Sequence, residues 1–182
     1  VLMSGVAVAK KDELPAVSHD GLELRKGKVA EVLYVRPGVD FSGYKRFAIL
    51  EAPVAFSKDW ERERKGGAMR VSQKEMEEIK AGLSAEFLKI FTDELQNKGG
   101  YTIVTEGADD VLILRPAIIN LDIEVPNTTA PNRYTFTDSA GQATLYLELY
   151  DGVSGELLAR VLDAQVAGDW GTNRMRTSSS NK

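Results

Sequence analysis

The 182-residue sequence has no cysteine and a single histidine, His19. The first absence excludes disulfides, thiolate zinc sites, cysteine-ligated iron–sulfur clusters and cysteine nucleophiles. The second removes most histidine-based acid–base chemistry, because His19 lies in a polar, non-periodic stretch and has no second histidine to work with. Ser42, Ser57 and Ser139 have no G-x-S-x-G elbow around them, and neither Gly66-Gly67 nor Gly99-Gly100 is followed by the lysine and hydroxyl of a phosphate cradle. No stretch reaches the roughly 18 consecutive apolar residues of a membrane-spanning helix. With so few reactive residue types, no catalytic, cofactor-binding or metal-ligating set is expected, and the chain reads as a non-enzyme.

The residues that are present describe an ordinary folded domain. Hydrophobic residues make up 43% and charged residues 27%, and 23 Lys and Arg against 27 Asp and Glu give a net charge of 23 − 27 = −4. An acidic balance of this kind argues against nucleic acid as a partner.

Residues 1–9 are apolar and small before Lys10-Lys11-Asp12-Glu13 turns charged, the shape of a signal-peptide remnant. Ala7-Val8-Ala9 fits the small-x-small rule for cleavage before Lys10. In a second reading, Leu2-Met3-Ser4-Gly5 resembles the run before a lipid-bearing cysteine, with Val6 in its place. A short buried strand is the third reading. Residues 10–28 read as a flexible arm, with His19 exposed in it.

Residues 29–172 read as one domain, followed by a polar tail at 173–182. β-Formers dominate 29–35 and 101–105, 47–52 is a largely apolar run, and Pro53 points to an edge or a bulge because it cannot donate to a ladder. Residues 58–67 read as a charged loop. Ser72 and Glu75 spell a capping box, and Met76, Ile79, Leu83, Phe87, Ile90, Phe91 and Leu95 recur on one helical face before Gly99-Gly100 stops the helix. Residues 111–125 form a long extended run, with Ile119, Leu121, Ile123 and Val125 set against Asn120, Asp122 and Glu124. Residues 126–138 read as a loop. Leu145, Leu147 and Leu149 alternate with Tyr146, Glu148 and Tyr150, and Asp151-Gly152-Val153-Ser154-Gly155 turns into a last strand with Leu158, Leu162, Ala164 and Val166 on one face. The expected fold is α+β: a two-layer sandwich, with one long amphipathic helix on one face of a mostly antiparallel, mixed β-sheet.

Residues 34–45, 112–120 and 148–160 together resemble a bacterial envelope family named as domain of unknown function 3313, mostly lipoproteins. The resemblance implies a secreted or outer-membrane-tethered protein and carries no catalytic motif. The expected location is the periplasm, in association with the outer membrane if a lipid is attached.

Four sets of residues are candidates for function. Tyr134, Tyr146, Glu148, Tyr150 and Trp170, with Phe136, can form a partner-binding face on the sheet side away from the helix, or a second minor core. Trp60, Arg62, Arg64 and Lys65, near Arg70 and Lys74, form a basic contact loop for an envelope polymer or protein, or simply a solvated loop. Asp122, Glu124, Glu148 and Asp163 can bring carboxylates together for calcium or acid–base work, which needs separations of about 5 or about 6.5–9.5 Å. The ordinary reading is a solvent-facing polar stripe. Asp109-Asp110 reads as turn chemistry. The expected function is a non-catalytic interaction or assembly module whose partner is an envelope protein or a second copy of the chain. A membrane would be met only through an N-terminal lipid. The alternative is a periplasmic small-molecule or glycan binder using Trp60 and Trp170, with a carboxylate-based hydrolase behind it.

Overall fold

Alternating apolar residues in the second half of the chain build the centre of a mixed sheet. The computed structural model describes residues 14–27, 30–65, 70–123 and 141–167. Its strands are β1 (Glu23–Arg25), β2 (Val32–Val35), β3 (Arg46–Ile49), β4 (Val54–Phe56), β5 (Thr102–Ile103), β6 (Val111–Ile123), β7 (Gly141–Asp151) and β8 (Leu157–Ala167). They pair in the order β1-β2-β8-β7-β6-β3-β5, with β4 also on β6. The β1-β2-β8-β7-β6 half is antiparallel, whereas β3 and β4 run parallel to β6 and β5 runs parallel to β3. Beside the sheet stand a short helix, α1 (Lys58–Lys65), and the long helix α2 (Gln73–Asp93), which continues as a π-helical turn to Lys98.

The long helix begins as the sequence predicts. Ser72 Oγ accepts the Glu75 N–H at 3.2 Å, and the Glu75 carboxylate accepts the Ser72 N–H at 2.8 Å. It ends at Gly100, whose φ of 69° lies in the left-handed region open to glycine. Its inner face packs two clusters. Met76 joins Phe56, Trp60, Val71 and Leu121, flanked by Ile79 and Leu83, while Phe91 and Leu95 pack on Phe47, Leu112, Leu114 and Leu158. Ile90 departs from the predicted face and is half-exposed.

The charged loop expected at 58–67 is instead the helix α1. The Ser57 hydroxyl accepts the Trp60 N–H at 3.1 Å and so starts a turn, and the indole anchors that turn in the core. Trp60 stacks on Phe56 at 4.0 Å and donates its Nε1–H to the Ile123 carbonyl at 2.7 Å. The arm expected at 10–28 also differs over its described part. Residues 23–25 pair into the sheet, Leu22 is fully buried, and the Tyr34 hydroxyl donates to the Pro15 carbonyl at 2.8 Å.

Two register shifts change which residues share a face. Asn120 takes φ of 52°, and the β6–β7 pairing slips between Ile119 and Asp122. Asparagine tolerates this left-handed conformation, and the extra residue returns Leu121 to the helix-side core, whereas Ile119 keeps the face it shares with Arg115 and Ala117. A second slip between Leu149 and Tyr150 puts Leu158 in the helix-side core, whereas Leu162 and Ala164 pair with Tyr146 and Thr144 on the other face. Pro53 breaks the run between β3 and β4, so two short strands share one edge of β6; its carbonyl accepts the Ile118 N–H at 2.9 Å.

Truncating Trp60 to alanine is expected to cost about 3–5 kcal/mol in urea unfolding, through the cavity it leaves. Trp60→Phe should cost nearer to 1–3 kcal/mol, mostly from the unpaired Ile123 carbonyl, and Ser72→Ala about 1 kcal/mol.

Candidate functional site

Period-two geometry puts Tyr146, Glu148 and Tyr150 on one face of β7, the face turned away from α2. Pairing on both sides then supplies what the sequence left out. Arg115 of β6 and Arg160 of β8 both stand opposite Glu148. The carboxylate is 5% exposed and is held from four directions. Arg160 donates through Nε at 3.2 Å and Nη2 at 3.1 Å, the Tyr150 hydroxyl donates at 2.7 Å, Arg115 Nη1 lies at 3.4 Å, and the Tyr146 hydroxyl donates to Oε1. Arg160 reaches on to Asp20 at 2.7 Å, and Asp20 in turn meets Nε2 of the exposed His19 at 2.9 Å. The network therefore ties β6, β7 and β8 to the segment before β1.

Its electrostatics follow from that geometry. Burial disfavours charge on Glu148, but the bonds from Tyr146, Tyr150 and Arg160 outweigh it and hold the carboxyl below the ordinary carboxylate range. Burial, and then the bond to Glu148, push the Tyr146 hydroxyl up to about 12 and raise Tyr150 as well. Burial works against the Arg160 cation, and Asp20 and Glu148 more than offset it. This carboxylate is ionised and fully engaged, so it serves as a structural anion.

Tyr134 and Trp170 of the expected partner-binding face, together with Phe136, lie outside the described residues. The expectation of Glu148 as a contact residue is corrected: it is buried, and the surface above it belongs to Arg115 with the flanking tyrosines. Arg115 and Arg160 were missed because only strand register brings them to Glu148, and Asp20 because it reaches the network only through Arg160. Their signal was the parity of Arg115 and Arg160 with their strands' outward positions.

The basic contact loop does not form as expected. Trp60 is 2% exposed in the core, Arg64 lies 5.8 Å over its ring, and Arg62 pairs with Asp59 at 2.9 Å. The Lys65 side chain lies outside the described residues. A glycan cleft built on Trp60 is overturned by the same burial.

The carboxylate pair is also not assembled. Asp122 pairs with Gln142, six positions from Glu148, or about 20 Å along the strand. Asp163 pairs with Leu145 on the opposite face and accepts the Glu31 N–H at 3.2 Å, and Glu124 lies outside the described residues. Among the described residues, no three His, Asp or Glu side chains are grouped to hold a metal ion.

The stretches 34–45 and 148–160 meet at the hairpin end of the sheet. The Tyr44 hydroxyl donates to Asp151 at 2.7 Å, and the other oxygen of Asp151 accepts the Ser154 N–H at 2.6 Å. Arg36 Nε donates to the Leu157 carbonyl at 2.7 Å, and its Nη1 pairs with Glu156 at 3.2 Å. The Ser154 N–H foremost, then Tyr44, hold Asp151 well below the usual carboxylate range, while burial and Asp151 push Tyr44 up to about 12. These motif residues close a turn onto the strand entering the sheet. A family model described as a protein of unknown function, DUF3313, matches residues 13–181. The chain belongs to that family. The DUF3313 match spans all three stretches that carry the resemblance, and two of them form the clasp just described. A search of curated proteins finds no match. A PelC variant from Paraburkholderia phytofirmans, solved as a dodecamer, is 12% identical over 80% of this chain and 88% of that one, with a TM-score of 0.41.

Replacing Glu148 by alanine should cost about 3–5 kcal/mol, because Arg160 and Arg115 lose the anion between them. The pH dependence has two limbs. A depressed carboxyl contributes stability in full above its ordinary value of 4.5 and loses it as pH falls through the folded value. The gap in urea midpoint between wild type and Glu148→Gln should therefore be constant above about pH 5.5 and shrink below about pH 4. Raised tyrosines act in the opposite sense: their contribution is whole below about pH 10 and is lost as pH climbs towards 12, a limb that Tyr146→Phe should flatten.

Proposed function

We propose that this chain is an exported bacterial envelope protein that acts as a non-catalytic interaction or assembly module, in the periplasm or at the outer membrane. The observation that carries the reading is the Glu148 network. The one buried carboxylate among the described residues spends its bonding capacity within its own chain, which fixes that face as a rigid surface. Half-buried tyrosines and the exposed Arg115 on a preorganised sheet provide contact area at little entropic cost. Family membership adds no catalytic signature to set against this. The partner on this reading is an envelope protein or a second copy of the chain.

The test uses a photo-crosslinking amino acid placed in the full-length protein in living cells. Ala117 and Thr144 share the Tyr146 face, and Ile90, half-exposed on α2, is the control. The expected result is one discrete adduct at Ala117 and Thr144, abolished by Tyr146→Ala and Arg115→Ala together, with none at Ile90. No adduct at the sheet positions, or equal adducts at Ile90, overturns the assignment of this face.

A further inference from the structure

A cavity lies on the other side of the sheet, the side that α2 covers. The two clusters under α2 leave a gap between them. Phe87, Ile118 and Leu145 belong to neither cluster, yet all three line a cavity of about 460 Å³ between the middle of α2 and strands β6 to β8. On β6 the lining runs from Ile118 to Ile123, five positions or about 16 Å, so the cavity is long in the strand direction. On α2 it spans one turn, from Leu83 to Phe87, so it is narrow across the helix. Among the described residues, no charged side chain lines it. The polar side chains in its wall are Gln142 and Gln165, both exposed, and with the exposed Val166 they mark the open end.

We infer that this cleft binds a single hydrocarbon chain, the acyl tail of a fatty acid, with its polar end at Gln142 and Gln165. The volume falls within the range of ligand cavities, and an uncharged lining rejects ions and sugars, whose hydroxyls would find no partners inside. A long, narrow slot fits a flexible unbranched tail better than a flat ring. Each buried methylene contributes favourably by leaving water, and the glutamine amides can hydrogen-bond a carboxyl group without requiring a buried charge.

The probe is a dansyl-labelled undecanoic acid titrated into the full-length protein. The expected result is blue-shifted emission that saturates at one probe per chain and is displaced by unlabelled dodecanoic acid. Ala143→Phe and Leu83→Trp, which fill the cleft from β7 and from α2, should each weaken binding at least tenfold while retaining the wild-type circular dichroism spectrum. Ile90→Ser on the outer side of α2 should leave binding unchanged. Having two filling variants on different elements guards against one that fails to fold. Co-sedimentation with phosphatidylethanolamine–phosphatidylglycerol vesicles, lost in the filling variants but undisturbed by dodecanoic acid, would assign the tail to a membrane lipid and overturn the free-acid reading. Absence of saturable binding overturns the proposal. So does binding that the filling variants leave intact, or binding that appears only when residues 124–140 are replaced by a short Gly-Ser link.

Discussion

A carboxylate in the central strand of a sheet must be neutralised or matched, and the rest of this fold depends on how Glu148 is matched. Burying an unpaired carboxylate costs several kcal/mol, more than a typical share of a small domain's net stability. Arg115 and Arg160 approach from the two neighbouring strands, and tyrosines two residues away on either side close the remaining directions. That arrangement exists in only one register. A slip of one residue on either side would turn an arginine to the helix face and leave both charges stranded. The ion pair therefore selects the pairing more than it adds to the stability, as a polar residue does in an otherwise apolar seam.

The helix side obeys a different constraint. There the apolar residues of α2 pack against β6 and β7, and the two register shifts keep Leu121 and Leu158 in the core. Without the left-handed turn at Asn120, period-two alternation would leave Leu121 on the same face as Ile119, the polar side, and out of the core. The bulge reconciles an apolar and a polar demand made on the same long strand. Pro53 does similar work on the neighbouring edge by dividing one partner strand into two.

How much of this was legible in the sequence depended on how local the signal was. The capping box at Ser72, the helical face from Met76 to Leu95 and the alternation around Tyr146 are patterns within a few residues, and each appears where it was read, with Ile90 the exception on the helix. The α+β class followed from their order. Trp60 was misread because a run of charged neighbours hid one large apolar residue, and the Ser57 hydroxyl that starts its helix gives a weak signal by itself. The site was half-legible: Tyr146, Glu148 and Tyr150 share a strand, but Arg115, Arg160 and Asp20 come from 33 residues before, 12 residues after and the far amino-terminal segment. Register joins them, and single-sequence patterns do not encode register across such distances.

The placement of β8 between β7 and β2 bears on the order in which the molecule can be assembled. Strands β6, β7 and α2 find partners among near neighbours in the chain, whereas Val32 must wait for Leu162. During synthesis β1 and β2 emerge first and join the rest of the sheet last. Until the final strand arrives, Asp20 lacks Arg160 and β2 lacks its second partner strand. For that interval the amino-terminal segment is the part of the chain most open to a chaperone, a protease or a modifying enzyme, and Arg160 is the residue whose arrival closes it.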